Sequence, residues 1–169
     1  TGALAVSNVD WSNGATLKGP GSIDVLTAMT VHVNNGAGDF DTVLDNLVLD
    51  NYGTFTYSSA DSNDNLALKN GAVLNNHATF DARTDTSIIG LSGTNTFNNL
   101  GTLKKTAGSL TRIGDVGTVV FNSTDAAFDM ASGNFQFLDG GTFTGTQTVV
   151  VGGNPLTLSA SGHTFADNS

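Results

Sequence analysis

The chain has 169 residues, and 15 acidic against 6 basic side chains give it a formal net charge of −9. All 15 acids are aspartate and cysteine is absent, while Thr, Gly, Asn, Asp and Ser supply 91 residues, more than half of the total. This excess of turn and strand formers excludes an all-α or doubly wound α/β fold, and the missing thiols exclude disulfides, cysteine nucleophiles and cysteine-based zinc sites.

The cations are few and scattered, with Lys104-Lys105 the only adjacent pair, which argues against nucleic acid and anionic membrane surfaces as partners. No apolar run approaches the roughly 20 residues of a membrane-spanning helix, so membrane insertion is not expected. Thr1-Gly2-Ala3 leads straight into a strand-like stretch without an initiator Met or signal-peptide pattern. The chain therefore reads as mature protein or as a segment of something longer.

One heptad recurs along the chain: apolar, any, Asn, any, small, Thr, apolar. Its first copy is WSNGATL at residues 11–17, and VNNGAGDF at 33–40 is a further candidate corner. Then come LDNYGTF at 49–55, LNNHATF at 74–80, FNNLGTL at 97–103 and a degenerate FNSTDAAF at 121–128, which carries one extra residue. Starts at 49, 74, 97 and 121 are separated by 25, 23 and 24 residues, the mark of a stacked-repeat architecture.

Apolar residues at both ends of the heptad, with an Asn-x-Gly or Asn-x-Ala corner between them, describe a strand that bends and continues. A unit of about 24 residues has room for three short strands at ~3.3 Å per residue. The last full unit displays them at 119–121, 128–130 and 135–137, followed by Phe143 after Gly140-Gly141. Strands this short bury a face only by stacking unit on unit.

The reading is all-β: a β-solenoid (parallel β-helix) of six or seven coils, about 24 residues and three short strands per coil. It forms one domain over 1–169, with irregular coils at 1–46 and regular coils at 47–169. An antiparallel sandwich also alternates, but it gives no reason for the period. Stacking predicts an asparagine ladder through Asn13, Asn51, Asn76 and Asn99 and a threonine line through Thr16, Thr54, Thr79 and Thr102. It also predicts two interior stacks, Trp11–Leu49–Leu74–Phe97–Phe121 and Leu17–Phe55–Phe80–Leu103–Phe128.

The stretch FNNLGTLKKTAGSLTRIGDVGTVVFN, then MASGNFQFLDGGTFTGTQTVVVGG and LTLSASGHTF, resembles repeats of very large bacterial exoproteins. Ser132-Gly133, Gly140-Gly141-Thr142 and Ser161-Gly162-His163-Thr164-Phe165 match the steps of those repeats in order. The likeness covers about residues 47–169. It departs at Asp125-Ala126-Ala127, where a Gly-Thr corner is usual, and at the insertion 58–65. The resemblance implies a right-handed parallel β-helix carried in a secreted or cell-surface, autotransporter- or haemagglutinin-like adhesin. The expected role is a rigid stalk or display surface, whose partners would be flanking domains of the same chain and a glycan or protein on a target surface. Open coil ends would also favour end-to-end association.

The competing class is a polysaccharide-binding or polysaccharide-degrading β-helix. Its catalytic candidates are Asp81, Arg83 and Asp85, alternating so as to share one strand face near His77, because acid–base work on a sugar needs paired carboxylates or a cation. The equivalent Lys104-Lys105-Thr106 of the next coil carries no acid, and an exposed ion pair accounts for Asp81 with Arg83, so a non-enzyme is the preferred reading.

The loop Asp61, Asn63, Asp64, Asn65 is a candidate binding loop and has calcium-like oxygens, as does the Gly-rich stretch holding Asp39 and Asp41. An EF-hand would need Gly after Asn65 and a Glu at its twelfth position, yet Leu66 follows and the chain has no Glu. The Gly-rich stretch occurs once and has Phe40 where a calcium nonapeptide needs Asp. Solvated turns are the preferred reading, with no cofactor. His32, His77 and His163 lack metal-ligand spacing. Asn122-Ser123-Thr124 is a sequon expected from composition alone. The Thr-x-Thr steps fall at different phases of the repeat, so an ice-binding array is not expected.

Overall fold

The computed structural model describes residues 2–33, 41–61, 63–152, 156–158 and 162–166. Twenty strands and no helix occur among them, and every strand pairing is parallel. The strands stack into three walls. The first contains the leading half of β3 (Ser22–Val33), then β5 (Val48–Asn51), β8 (Val73–Asn76), β11 (Thr94–Asn99), β14 (Thr118–Thr124), β17 (Gly141–Thr144) and β20 (His163–Ala166). The second contains the trailing half of β3, then β6 (Thr54–Ser59), β9 (Thr79–Ala82), β12 (Thr102–Lys105), β15 (Ala127–Met130) and β18 (Thr148–Val151). The third runs through β2 (Thr16–Lys18), β4 (Thr42–Asp45), β7 (Leu66–Lys69), β10 (Ile88–Ser92), β13 (Leu110–Ile113), β16 (Asn134–Phe137) and β19 (Thr157–Leu158). The chain visits the walls in rotation, one strand in each per coil, which is the β-solenoid that the 24-residue period predicts.

The heptads sit where the first wall turns into the second. Leu49 aligns with Leu74, Leu74 with Phe97 and Phe97 with Phe121. Past the corner, Phe55 aligns with Phe80, Phe80 with Leu103 and Leu103 with Phe128. All of these are buried, because inward and outward residues alternate along each short strand. Each large side chain so buried contributes roughly 1.5–3 kcal/mol. Ring contacts continue through the stack, from Phe55–Phe80 (centroids 4.7 Å apart) to Phe80–Phe97 (5.1 Å) and Phe97–Phe121 (5.3 Å). The small residue of the heptad has its own cause: a Cβ at Gly101 would run into the carbonyl of Ala78 in the coil before it.

The first heptad copy is placed differently from expectation. β1 (Leu4–Ser12) pairs along its length with β3, and both strands run unbroken past the first corner. The Asn13-Gly14 turn (φ 59° and 69°) therefore falls between the second and third walls. Trp11 is buried, but it aligns with Val31 rather than with Leu49, while Thr16 and Leu17 align with Val43 and Leu44. Asn13 is exposed and donates to the Ser12 hydroxyl, so it is not a rung of the asparagine ladder.

The other three rungs are in place. Asn51 Nδ2 donates to Asn76 Oδ1 and Asn76 Nδ2 to Asn99 Oδ1, both at 2.8 Å and fully buried. The same amides cap the following corners, Asn51 through Thr79 O and Asn76 through Thr102 O. Thr54, Thr79 and Thr102 align as expected. The ladder stops at Asn99, whose Nδ2 is buried without a partner. Here Ser123 replaces Asn, and the extra residue Asp125 takes a positive φ of 46°. Ser123 instead donates to Gln147 Oε1 at 2.7 Å.

Candidate functional site

The corners between the second and third walls bring one residue of the candidate loop, Asp61, beside Arg83 and Asp85. The loop after β6 and the turn after β9 lie in successive coils, and Asp61, Arg83 and Asp85 line one cleft of about 260 Å³ with Ser59, Thr84 and Gly108. Asp81 is not at the cleft's surface. Its Oδ2 accepts from Arg83 Nε at 2.7 Å, its Oδ1 accepts from the Thr106 hydroxyl at 2.6 Å, and only 4% of it is exposed. Strand β9 ends at Ala82, so Asp81, Arg83 and Asp85 do not share a strand face as alternation suggested. His77 belongs elsewhere: its Nε2 is 3.1 Å from Asp50 Oδ1, and its ring stacks on Tyr52.

Asp85 serves the next coil. Its Oδ1 accepts the backbone N–H groups of Ser109 and Leu110. Desolvation raises its carboxyl, but those two N–H groups and the Lys105 ammonium outweigh this and hold it below the ordinary aspartate value. Lys105 is fully buried, and its Nζ donates to Thr84 O (2.6 Å) and Ala107 O (2.5 Å) while lying 3.6 Å from Asp85 Oδ1. Burial pushes its amine below the ordinary lysine value, against the opposing pull of Asp85.

Sequence reasoning missed Lys105, though the signal was present. Leu103 points inward, so two residues on along the same strand Lys105 must do so too. In that file the order is Tyr57, Ala82, Lys105 and Met130. Tyr57 is the other polar side chain of this file: its hydroxyl bonds Ser87 O at 2.8 Å and Thr86 Oγ1 at 2.7 Å and accepts from Leu66 N. Burial drives its phenol well above the ordinary value.

Two of the candidate calcium ligands each turn one carboxylate oxygen to a backbone N–H. Asp41 Oδ1 accepts from Asn65 N at 2.8 Å, and Asp61 Oδ1 accepts from Asn63 N at 3.0 Å. Asn65 also takes Ser87 N on its Oδ1, which ties the loop to the next coil. Asp64 is buried. Among the described residues no three His, Cys, Asp or Glu side chains gather as a metal site would require. Asp39 and the rest of 34–40 lie outside the described residues, and with them the candidate corner at 33–40.

A second surface was not read from the sequence. The outward residues of the first wall align as Asp24, Asp50, Asn75, Asn98 and Asn122. Asn122 Nδ2 donates to Asn98 Oδ1 (3.0 Å), Asn98 Nδ2 to Asn75 Oδ1 (2.8 Å) and Asn75 Nδ2 to Asp50 Oδ1 (2.8 Å). The sequon asparagine is thus a rung of an outer ladder. The signal lay in the doubled asparagines Asn75-Asn76 and Asn98-Asn99, where adjacent strand residues face opposite sides. A groove of about 310 Å³ runs beside this file, lined by Asn75, His77, Asn98, Leu100, Asn122 and Thr124.

Comparison with protein-family models, with curated proteins and with solved structures found no match.

Proposed function

We propose that the chain is a structural segment of a secreted or cell-surface bacterial protein, acting as a rigid stalk or display surface of the adhesive kind. The observation that carries this reading is the continuity of the stack. Backbone ladders in three walls, the inner asparagine ladder and the aromatic column all run along one axis, so length and stiffness come from the same contacts. Among the described residues, seven strands in the third wall make six coil-to-coil steps, or roughly 30 Å at ~4.8 Å per step. Flanking domains of the same chain and a glycan or protein on a target surface are the partners this role implies. An antibody raised against residues 41–152 is expected to label intact producing cells or their medium. Labelling confined to lysed cells removes the proposal.

The cleft holding Asp61, Arg83 and Asp85 supports a second reading, a polysaccharide-binding or polysaccharide-degrading β-helix. Arg83 is the group it offers to an acidic sugar, since Asp81 and Asp85 are engaged in holding the corner. Activity on acidic polysaccharides that disappears in Arg83→Ala supports this class. Its absence from every form of the protein rejects the enzyme.

A further inference from the structure

The geometry points to the groove along the first wall as a binding site for a neutral, extended polysaccharide lying parallel to the solenoid axis, a deepening that rests on the display-surface reading. Each amide of the outer file uses one N–H within the file and keeps the other, together with an oxygen lone pair, for an outside partner. Such a file offers alternating donors and acceptors at one coil spacing, ~4.8 Å. Sugar hydroxyls are both donors and acceptors, and an extended β-linked chain of pyranose rings advances by a similar step while turning alternate rings over, so successive amides would meet hydroxyls from alternating ring edges, each able to donate or accept.

Beside the file stands an apolar border. Tyr52 is 49% exposed and stacks flat on His77 at 4.5 Å, while Leu100 is 44% exposed at the equivalent corner one coil beyond His77. A pyranose ring has an apolar face that such a ring and side chain can cover. Polyanions are disfavoured, because the file begins with Asp24 and Asp50 and the chain carries −9. Addition of a peptide strand is disfavoured too, because the backbone groups of β8 and β11 are already paired on both sides.

Native gel electrophoresis through hydroxyethylcellulose or galactomannan tests the proposal, with polygalacturonate and plain gels run alongside. The protein is expected to be retarded in the neutral gels and not in polygalacturonate. Tyr52→Ala is expected to weaken retardation about fivefold at unchanged melting temperature. Asn98→Asp, which keeps an acceptor for Asn122 but loses the donor to Asn75, is expected to weaken it as well. Should Asn98→Asp fold poorly, Tyr52→Ala decides alone. Lack of retardation in both neutral gels, equal retardation in wild type and variants, or retention by polygalacturonate alone each overturns the proposal. A protein that labels intact cells yet ignores neutral polymers loses only the groove. One that binds them but is found only inside cells loses the display role and keeps the groove.

Discussion

Asn76 and Asn75 are neighbours in sequence with opposite fates, and they measure what burial does to one amide. Asn76 is fully buried and holds Asn99 Oδ1 and Thr102 O while accepting from Asn51. Asn75 makes the outer ladder at a half-buried position with water as an alternative partner. Asn76→Ala strands a buried donor on one side and a buried acceptor on the other, and it is expected to cost about 2–4 kcal/mol. Asn75→Ala is expected to cost under about 1 kcal/mol. Urea denaturation of both variants checks the contrast, and equal losses would mean that the inner ladder is not specially protected.

Acid sensitivity also belongs to single residues. Desolvation works against the Asp85 carboxylate, but backbone N–H groups and Lys105 win and hold its folded pKa below 3.8. In Asp45 the hydrogen bond from Asn70 leads, desolvation opposes, and Lys18 adds to a net lowering. A folded pKa below the unfolded one gives stability that is full above the unfolded value and is lost as pH falls through the folded value. Lys105 acts in the same direction, because an amine depressed by burial makes the folded state bind fewer protons than the unfolded chain over the alkaline range between its two pKa values. Unfolding free energy is thus expected to drop below about pH 4. Asp85→Asn is expected to flatten that drop while lowering stability at neutral pH. An unchanged acid limb in Asp85→Asn would assign the loss to other carboxylates.

At the scale of the element, strand composition and corner chemistry decided how much was readable beforehand. The heptads placed β5, β6, β8, β9, β11 and β12 in their walls because Leu, Phe and Asn recur at fixed offsets on a fixed period. The coils before residue 46 carry the same residue types without the period, so WSNGATL looked equivalent and is not. Its register was decided by the unbroken length of β1 and β3, which a local pattern does not encode. The cleft is half legible: Asp61, Arg83 and Asp85 stand out in the sequence by their chemistry, but their convergence depends on which corners stack. Lys105 escaped because a charged residue next to another reads as surface, although strand alternation turns it inward.

The degenerate fourth corner offers a test of the same logic. Ser123 stands in the Asn file, and Asn99 Nδ2 lacks a partner there. Ser123→Asn would place an amide oxygen above Asn99 and a second N–H toward Gln147, whose Oε1 now takes the serine hydroxyl. A gain of about 1 kcal/mol is expected, read as a higher denaturation midpoint. A lower midpoint would show that the turn widened by Asp125 cannot seat the longer side chain.

For the whole molecule, parallel stacking makes each coil answer mainly to its two neighbours, so stability is a sum of coil and interface terms. A coil should then be removable if the cut respects register. Deleting residues 98–121 joins Phe97 to Asn122, and the existing alignments place Phe128 above Phe80 and Met130 above Ala82. Asp85 would meet the backbone at Asn134, which aligns with Leu110. Lys105 leaves with the coil that carries it, so its charge is not stranded in the interior, although Thr84 O loses the donors it now has from Lys105 and Thr111. The shortened chain is expected to fold cooperatively, to keep its strand content by circular dichroism, and to lose about one strand spacing, ~4.8 Å, of length by small-angle scattering. An unfolded product, or one with unchanged length, would mean that the coils are not interchangeable units and that stiffness is set by the ends.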